Sequence, residues 1–145
     1  MYLMDIKIKL IEKDNIEVIL PLFYQLDSSI SEPVLRERLL EMIEKGYECV
    51  GIYHEDELIG ICGLWILIKY YVGRHLEPDN VYVKPEYRDQ GIGKKLDTWL
   101  KEFALSRGCE AIELNCYLKN EKGREYWESN EYSPIGMHYQ KKLNH

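Results

Sequence analysis

Near the start of the chain Ile6, Ile8 and Leu10 alternate with Lys7 and Lys9, a period-two pattern that predicts a half-buried strand. The period then lengthens. Ile16, Ile19, Leu20, Phe23 and Leu26 recur at helical spacing behind Asp14 or Asn15, either of which can cap the helix, and Pro21 predicts a bend or restart. A second helix follows, with Ser31 as cap, Pro33 in the first turn, an apolar stripe of Val34, Leu35, Leu39, Met42 and Ile43, and Gly46 as its end. From Tyr47 to Tyr71 the pattern is β: a run to Tyr53, a polar turn from His54 to Glu57, and an apolar run from Leu58 that contains two glycines. Asn80 to Val83 predicts a short strand ended by Pro85. Gly91 to Arg107 predicts an amphipathic helix with Ile92, Leu96, Trp99, Leu100 and Phe103 on one side, stopped by Gly108. Ala111 to Tyr117 reads as strand, Asn120 to Ser129 as a short helix, and Ser133 to Leu143 as a terminal strand or bent hairpin. The order β-α-α-β-β-β-α-β-α-β is that of a mixed α/β domain, without internal repeat or linker.

Composition narrows this picture. With 145 residues and 46% hydrophobic content the chain can build one packed core, so a single domain over residues 1–145 is expected. The apolar run from Leu58 to Ile68 is far shorter than the roughly 20 residues of a membrane-spanning helix, and the alternating start lacks a signal-peptide core. A cytoplasmic location without membrane contact is therefore expected. Nineteen basic against twenty-five acidic residues give a net charge of -6, which argues against a nucleic-acid partner. Cys49, Cys62, Cys109 and Cys116 form no C-x-x-C pair, and the four histidines show no ligand spacing, so reduced thiols and no metal are expected.

Chemistry concentrates in Val81-Tyr82-Val83-Lys84-Pro85-Glu86-Tyr87-Arg88-Asp89-Gln90-Gly91-Ile92-Gly93-Lys94, where a strand ends and two glycines open a helix. A helix start of this kind presents backbone N–H groups to an anion and favours phosphate. From Lys84 to Arg107 six basic and four acidic residues give 6 - 4 = +2 inside a chain of -6. Two common nucleotide motifs fail here. A dinucleotide fingerprint needs a third glycine where Leu96 stands, and in a P-loop Lys94 would be followed by Ser or Thr, not Lys95.

The same stretch resembles the acetyl-CoA-binding motif of the GNAT N-acetyltransferases, [RQ]-x-x-G-x-[GA] after a strand, and the element order along the chain is similar to that family's. The resemblance implies a single-domain α/β GNAT fold, a mixed central sheet of six to seven strands with about four helices. It implies acetyl-CoA as cosubstrate, contacted by Val81, Tyr82, Val83, Arg88, Asp89, Gln90, Gly91, Ile92, Gly93, Lys94 and Asn120. It also implies an oxyanion donor in the Val81 N–H and a base at Glu77 or Asp79. The family's second motif aligns with the stretch from Asn120 to Tyr132, but its acidic Tyr position holds Trp127, and an indole N–H cannot replace a phenol. Tyr126 beside it, another tyrosine such as Tyr117 or Tyr139, and solvent are the candidate proton donors.

The acceptor implied is a primary amine of a small molecule or peptide, attacked directly in a ternary complex. Nine acidic and three basic residues between Asp27 and Leu58 give 3 - 9 = -6, which would suit a cationic amine if they form one wall. Trp65, Tyr70, Tyr71 and His75 are candidate pocket residues. Dimerisation is common in the family, so a homodimer is a further expectation. The alternative is a catalytically weak GNAT-fold module that binds acyl-CoA as a sensor or interaction domain.

Overall fold

The computed structural model describes residues 5–143; the first four residues and the last two, His145 among them, lie outside the described residues. The chain divides into two units, one ending at Leu114 and the other starting at Asn115.

The first unit is a five-stranded sheet in the order β1-β2-β3-β4-β5, with β1 Ile6–Leu10, β2 Glu48–His54, β3 Glu57–Lys69, β4 Gly73–Val83 and β5 Ala111–Ile112. Neighbours are antiparallel except β4 and β5, which are parallel. Between β1 and β2, residues Lys13–Ile19 form a 3-10 helix that gives way to α1, Leu20–Leu26. Pro21 stands in the first turn of α1, where its missing N–H costs nothing, so it restarts the helix. α2, Glu32–Glu44, follows, and α3, Ile92–Ser106, joins β4 to β5. The turn between β2 and β3 is set by Glu55 and Asp56, both at positive φ as a two-residue hairpin turn requires.

Cross-strand pairing sorts the sheet into two faces. Cys49, Ile61, Trp65 and Tyr82 share the face that packs on α1 and α2, in a cluster with Ile19, Leu20, Leu35, Leu39 and Tyr47. Val50, Ile52, Leu64 and Leu76 are equally buried on the other face. α3 buries Ile92, Leu96, Leu100, Phe103 and Ala104 and touches β1 and β5.

The second unit holds α4, Glu121–Ser129. Asn120 caps it, its Oδ1 accepting the Gly123 N–H at 3.0 Å.

Four expectations need correction. The sheet has five strands among the described residues, not six to seven, because residues 133–143 carry no regular structure. Pro134 removes a ladder donor there, and Ile135, Met137 and Tyr139, the apolar half of the alternating pattern, are exposed rather than buried. β4 begins at Gly73, seven residues before the predicted Asn80, because its first half is paired on both edges and its polar residues are not read as strand by alternation. β5 stops at Ile112 rather than Tyr117. Its last bond to β4 runs from Glu113 N–H to Leu76 C=O, 2.9 Å, and the next rung of a parallel ladder would need an N–H at Pro78, which proline lacks.

Candidate functional site

Among the described residues β4 is paired beyond Pro78 only with β3, and a bulge re-aims it. Ile61 faces Tyr82 and Gly63 faces Asp79, so Cys62 alone opposes both Asn80 and Val81. Asn80 takes the left-handed conformation, φ 39°, that such an extra residue adopts, and asparagine tolerates it better than a branched side chain would. Its amide and the Tyr47 hydroxyl hydrogen-bond each other at 2.9 and 3.2 Å. Gly63 leaves the space for this pair, since a Cβ there would sit 2.6 Å from Tyr47 Oη and closer still to Asn80 Oδ1.

The bulge fixes which backbone groups face outward. Lys84 N–H donates to Ile59 C=O at 2.9 Å, so Tyr82, two residues earlier, also turns its backbone to β3. Val81 and Val83 therefore turn theirs to the opposite edge, which β5 does not cover. Val83 C=O accepts Arg88 Nε–H there at 2.7 Å, and the Arg88 guanidinium lies 5.3 Å from the centre of the Tyr82 ring. Tyr82 Oη donates to Gln25 Oε1 at 3.0 Å, tying this part of β4 to α1.

The chain then turns through a 3-10 segment, Pro85–Tyr87, into α3. Asp89 and Gly91 both have positive φ, 61° and 81°. Nothing lies within 4 Å of where a Gly91 Cβ would be, so glycine serves the backbone conformation and leaves the helix entrance open. Gln90 Nε2 donates to Glu86 C=O at 3.3 Å and braces the turn. Ile92 is buried and seats the helix, while Lys94 is exposed. The predicted strand, turn and helix residues are thus consecutive along one open edge and one helix amino end.

On the face of β4 toward α1 and α2 stand His75, Glu77 and Asp79. Asp79 is fully engaged: Oδ2 accepts Trp65 Nε1–H at 3.1 Å and Oδ1 accepts the Asn80 N–H at 2.8 Å. Glu77 is only partly buried, with Oε1 3.8 Å from His75 Nε2. Tyr71 donates to Glu113 Oε1 at 2.5 Å, and that bond, with the charges of Glu113 and Glu77, holds its phenol above the usual range. Glu113 escaped sequence reading. The available signal was a lone carboxylate directly after the apolar pair Ala111-Ile112.

Of the other candidates, Tyr70 projects fully into solvent at the β3–β4 turn and Trp65 packs on Tyr47, with ring centres 5.2 Å apart. The nine acids between Asp27 and Leu58 do not form one free wall. Glu32 pairs with Arg36, Glu48 takes both guanidinium nitrogens of Arg107 at 2.8 and 3.0 Å, Glu57 holds Lys84 at 3.1 Å, and Asp27 accepts from Ser29. Surface hollows along α2, lined by Glu32, Pro33, Arg36, Glu37 and Leu40, and beside β1 contain no residue of β4.

In the second unit Trp127 is buried between the rings of Tyr126 and Tyr132, centred 4.7 and 5.0 Å away. All four cysteines are free thiols. Burial pushes Cys49 up to about 12 and raises Cys62, Cys109 and Cys116 as well, so none is activated as a thiolate. Among the described residues no three His, Cys, Asp or Glu side chains converge to hold a metal, and no helix is long and apolar enough to cross a membrane.

Comparison with known proteins decides between families for this arrangement. The model of the acetyltransferase (GNAT) family matches residues 15–132, most of the chain. The chain belongs to the GNAT family. A thialysine N-epsilon-acetyltransferase of Sus scrofa is 32% identical over 72 residues, 50% of this chain and 42% of that protein. The thialysine N-epsilon-acetyltransferase of Bos taurus is 37% identical over 57 residues, 39% of this chain and 34% of that one. The chain therefore matches less than half the length of these GNAT relatives. The crystal structure of a ribosomal-protein-alanine N-acetyltransferase from Brucella melitensis biovar Abortus 2308 superposes with a TM-score of 0.81 at 22% identity, over 97% of this chain and 100% of that one, which shows the shared fold.

Proposed function

We propose that this protein is an acetyl-CoA-dependent N-acetyltransferase that moves an acetyl group to a primary amine of a small molecule or peptide by direct attack in a ternary complex. The observation that carries the reading is the second half of β4, a strand with one edge unpaired among the described residues, leading through a glycine-opened turn to the amino end of α3. The amide groups of an extended pantetheine arm can pair with the outward backbone of Val81 and Val83 as an added strand would, running past Tyr82. Arg88, Asp89, Gln90, Gly91, Ile92, Gly93 and Lys94 would surround the pyrophosphate, with backbone N–H groups and the helix dipole opposing its charge. Asn120, at the start of α4, is assigned to the same cosubstrate.

The chemistry starts from a mismatch. An alkylamine of pKa near 10 is mostly protonated at neutral pH, so it must lose a proton before it attacks. Glu77 is our base: its carboxylate is partly exposed and has no hydrogen-bond donor at normal distance among the described residues, whereas Asp79 is committed to Trp65 and the bulge. The amine nitrogen then bonds to the acetyl carbon, and the carbonyl oxygen takes up negative charge. The Val81 N–H, which faces away from β3, would donate to that oxygen, a contribution of a few kcal/mol in comparable sites. As the intermediate collapses the C–S bond breaks, the attacking nitrogen gives up its second proton to water to leave the neutral amide, and the thiolate takes its proton from water. Tyr126 is the alternative donor. The raised thiols argue against an acyl-cysteine route.

A second reading, a GNAT module that binds acyl-CoA with little turnover, draws on Trp127 packed among aromatic rings where a tyrosine would act. Two measurements separate them. Acetyl-CoA at 100 times its Kd is expected to stabilise the fold by about 2.7 kcal/mol, and absence of any thermal shift would sink both readings. Release of CoA thiol with a panel of polyamines, aminoglycosides, amino acids and N-terminal peptides then tests turnover, and Glu77→Gln is expected to lower kcat by about 10² to 10⁴. Unchanged turnover in that variant removes the base assignment. Lost turnover in Tyr126→Phe, with binding intact, makes Tyr126 the acid.

A further inference from the structure

We infer that His75 is a positioning residue for Glu77, donating its Nε2–H to the carboxylate so that the base faces the acceptor amine; this rests on the reading of Glu77 as the base. His75 is completely buried, and neither ring nitrogen has a hydrogen-bond partner among the described residues. Across the ladders it is flanked by Leu67 on β3 and Ala111 on β5, which offer its side chain no polar group. What the strand brings to it is the Glu77 carboxylate, two residues on and on the same face, with Nε2 3.8 Å from Oε1.

That separation is roughly 1 Å longer than a hydrogen bond. The two partners differ in their freedom to close it. The imidazole is fixed inside the sheet, while the Glu77 side chain is 27% exposed and reaches across a flexible stem. A small swing of Glu77 makes the bond and satisfies one of two orphaned nitrogens, which a buried polar group requires. The other titratable groups around Glu77 are Asp79 on its own strand, Tyr71 from the β3–β4 turn and Glu113 beyond β5. Asp79 is held by Trp65 and Asn80, and Glu113 by the Tyr71 hydroxyl, so neither displaces His75 as the partner. A donor bonded to one carboxylate oxygen fixes the direction of the group and leaves the other oxygen to the acceptor amine.

Nitrogen-15 NMR of the histidine rings in the intact protein tests the contact without turnover. An Nε2–H tautomer for His75, with an Nε2 resonance that moves in Glu77→Ala and stays in place in Lys45→Ala, is expected. An Nδ1–H tautomer, or a resonance indifferent to Glu77→Ala, overturns the inference. Kinetics test the consequence. His75→Leu is expected to lower kcat roughly tenfold, leave KM for acetyl-CoA unchanged and move the acidic limb of the pH–rate profile upward, while His75→Gln, which keeps a donor, recovers most of the loss. Equal losses in Leu and Gln variants, with the limb unmoved, would mean a packing role only. A failure of the base assignment looks different: Glu77→Gln would then turn over normally while the NMR coupling persists.

Discussion

The two halves of β4 belong to one strand and do opposite work. From Gly73 to Pro78 the chain is paired with β3 on one edge, His75 and Leu76 at its centre are also paired with β5 on the other, and both are fully buried. From Val81 to Val83 one edge has no strand partner among the described residues, and all three residues are only partly buried. Two residues make the difference. Pro78 withholds the N–H that the next rung to β5 needs, and Asn80 accepts the backbone conformation that turns Val81 outward. Stability and the proposed cosubstrate contacts are thereby separated along about ten residues, while the proposed base Glu77 stands at the end of the paired half.

The sharpest way to break this comparison is Leu76→Ala in the paired half. A fully buried leucine truncated to alanine is expected to cost about 2–5 kcal/mol in urea unfolding while leaving acetyl-CoA affinity of the folded fraction within twofold. The counterpart is an amide-to-ester replacement at the Val81 nitrogen, which deletes one outward N–H and no bond to β3. It is expected to lower kcat by about 10² to 10³ with little loss of stability, and an equal loss in urea midpoint would show that the N–H serves the fold. Asn80→Val tests the hinge between the halves. Left-handed strain plus the lost Tyr47 bond should cost about 2 kcal/mol and weaken acetyl-CoA binding, and Asn80→Gly should restore the binding. Gly91→Ala, strained by φ 81° but not by crowding, is expected to cost about 1 kcal/mol in thermal unfolding.

The smallest effect lies away from β4 and serves as its control. The Ser29 hydroxyl and N–H hold the Asp27 carboxyl below the usual carboxylate range. A lowered folded value stabilises above the unfolded one, and the benefit fades as pH falls through the folded value. Ser29→Ala should therefore narrow the gap in stability between neutral and acid pH without touching turnover.

Much of this fold was legible because burial writes a period into the sequence. The helices from Glu32 and Ile92 end within a residue or two of their apolar stripes, and Gly46 and Gly108 follow them as stops. The turn and helix start from Arg88 to Lys94 were legible for the same reason, since glycine spacing is local. The first half of β4 was not, because Arg74, His75, Glu77 and Asp79 break the alternation that marks a strand. Nor was the choice between Glu77 and Asp79, which depends on a Trp65 contact made across the sheet. The segment from Ser133 to Leu143 alternates as a strand does and still has no ladder, since alternation marks what can pair without supplying a partner.

The space at Gly63 reaches further than the packing of one strand. Tyr47 just before β2, Gly63 in β3 and Asn80 in β4 meet at one point, and each is tolerable there only because of the other two. A transplant of residues 81–94 onto another scaffold would carry the glycine-opened turn but not the aim of its strand. Any redesign of this bulge has to move those three positions as one unit of inheritance, although they are spread over more than thirty residues of chain.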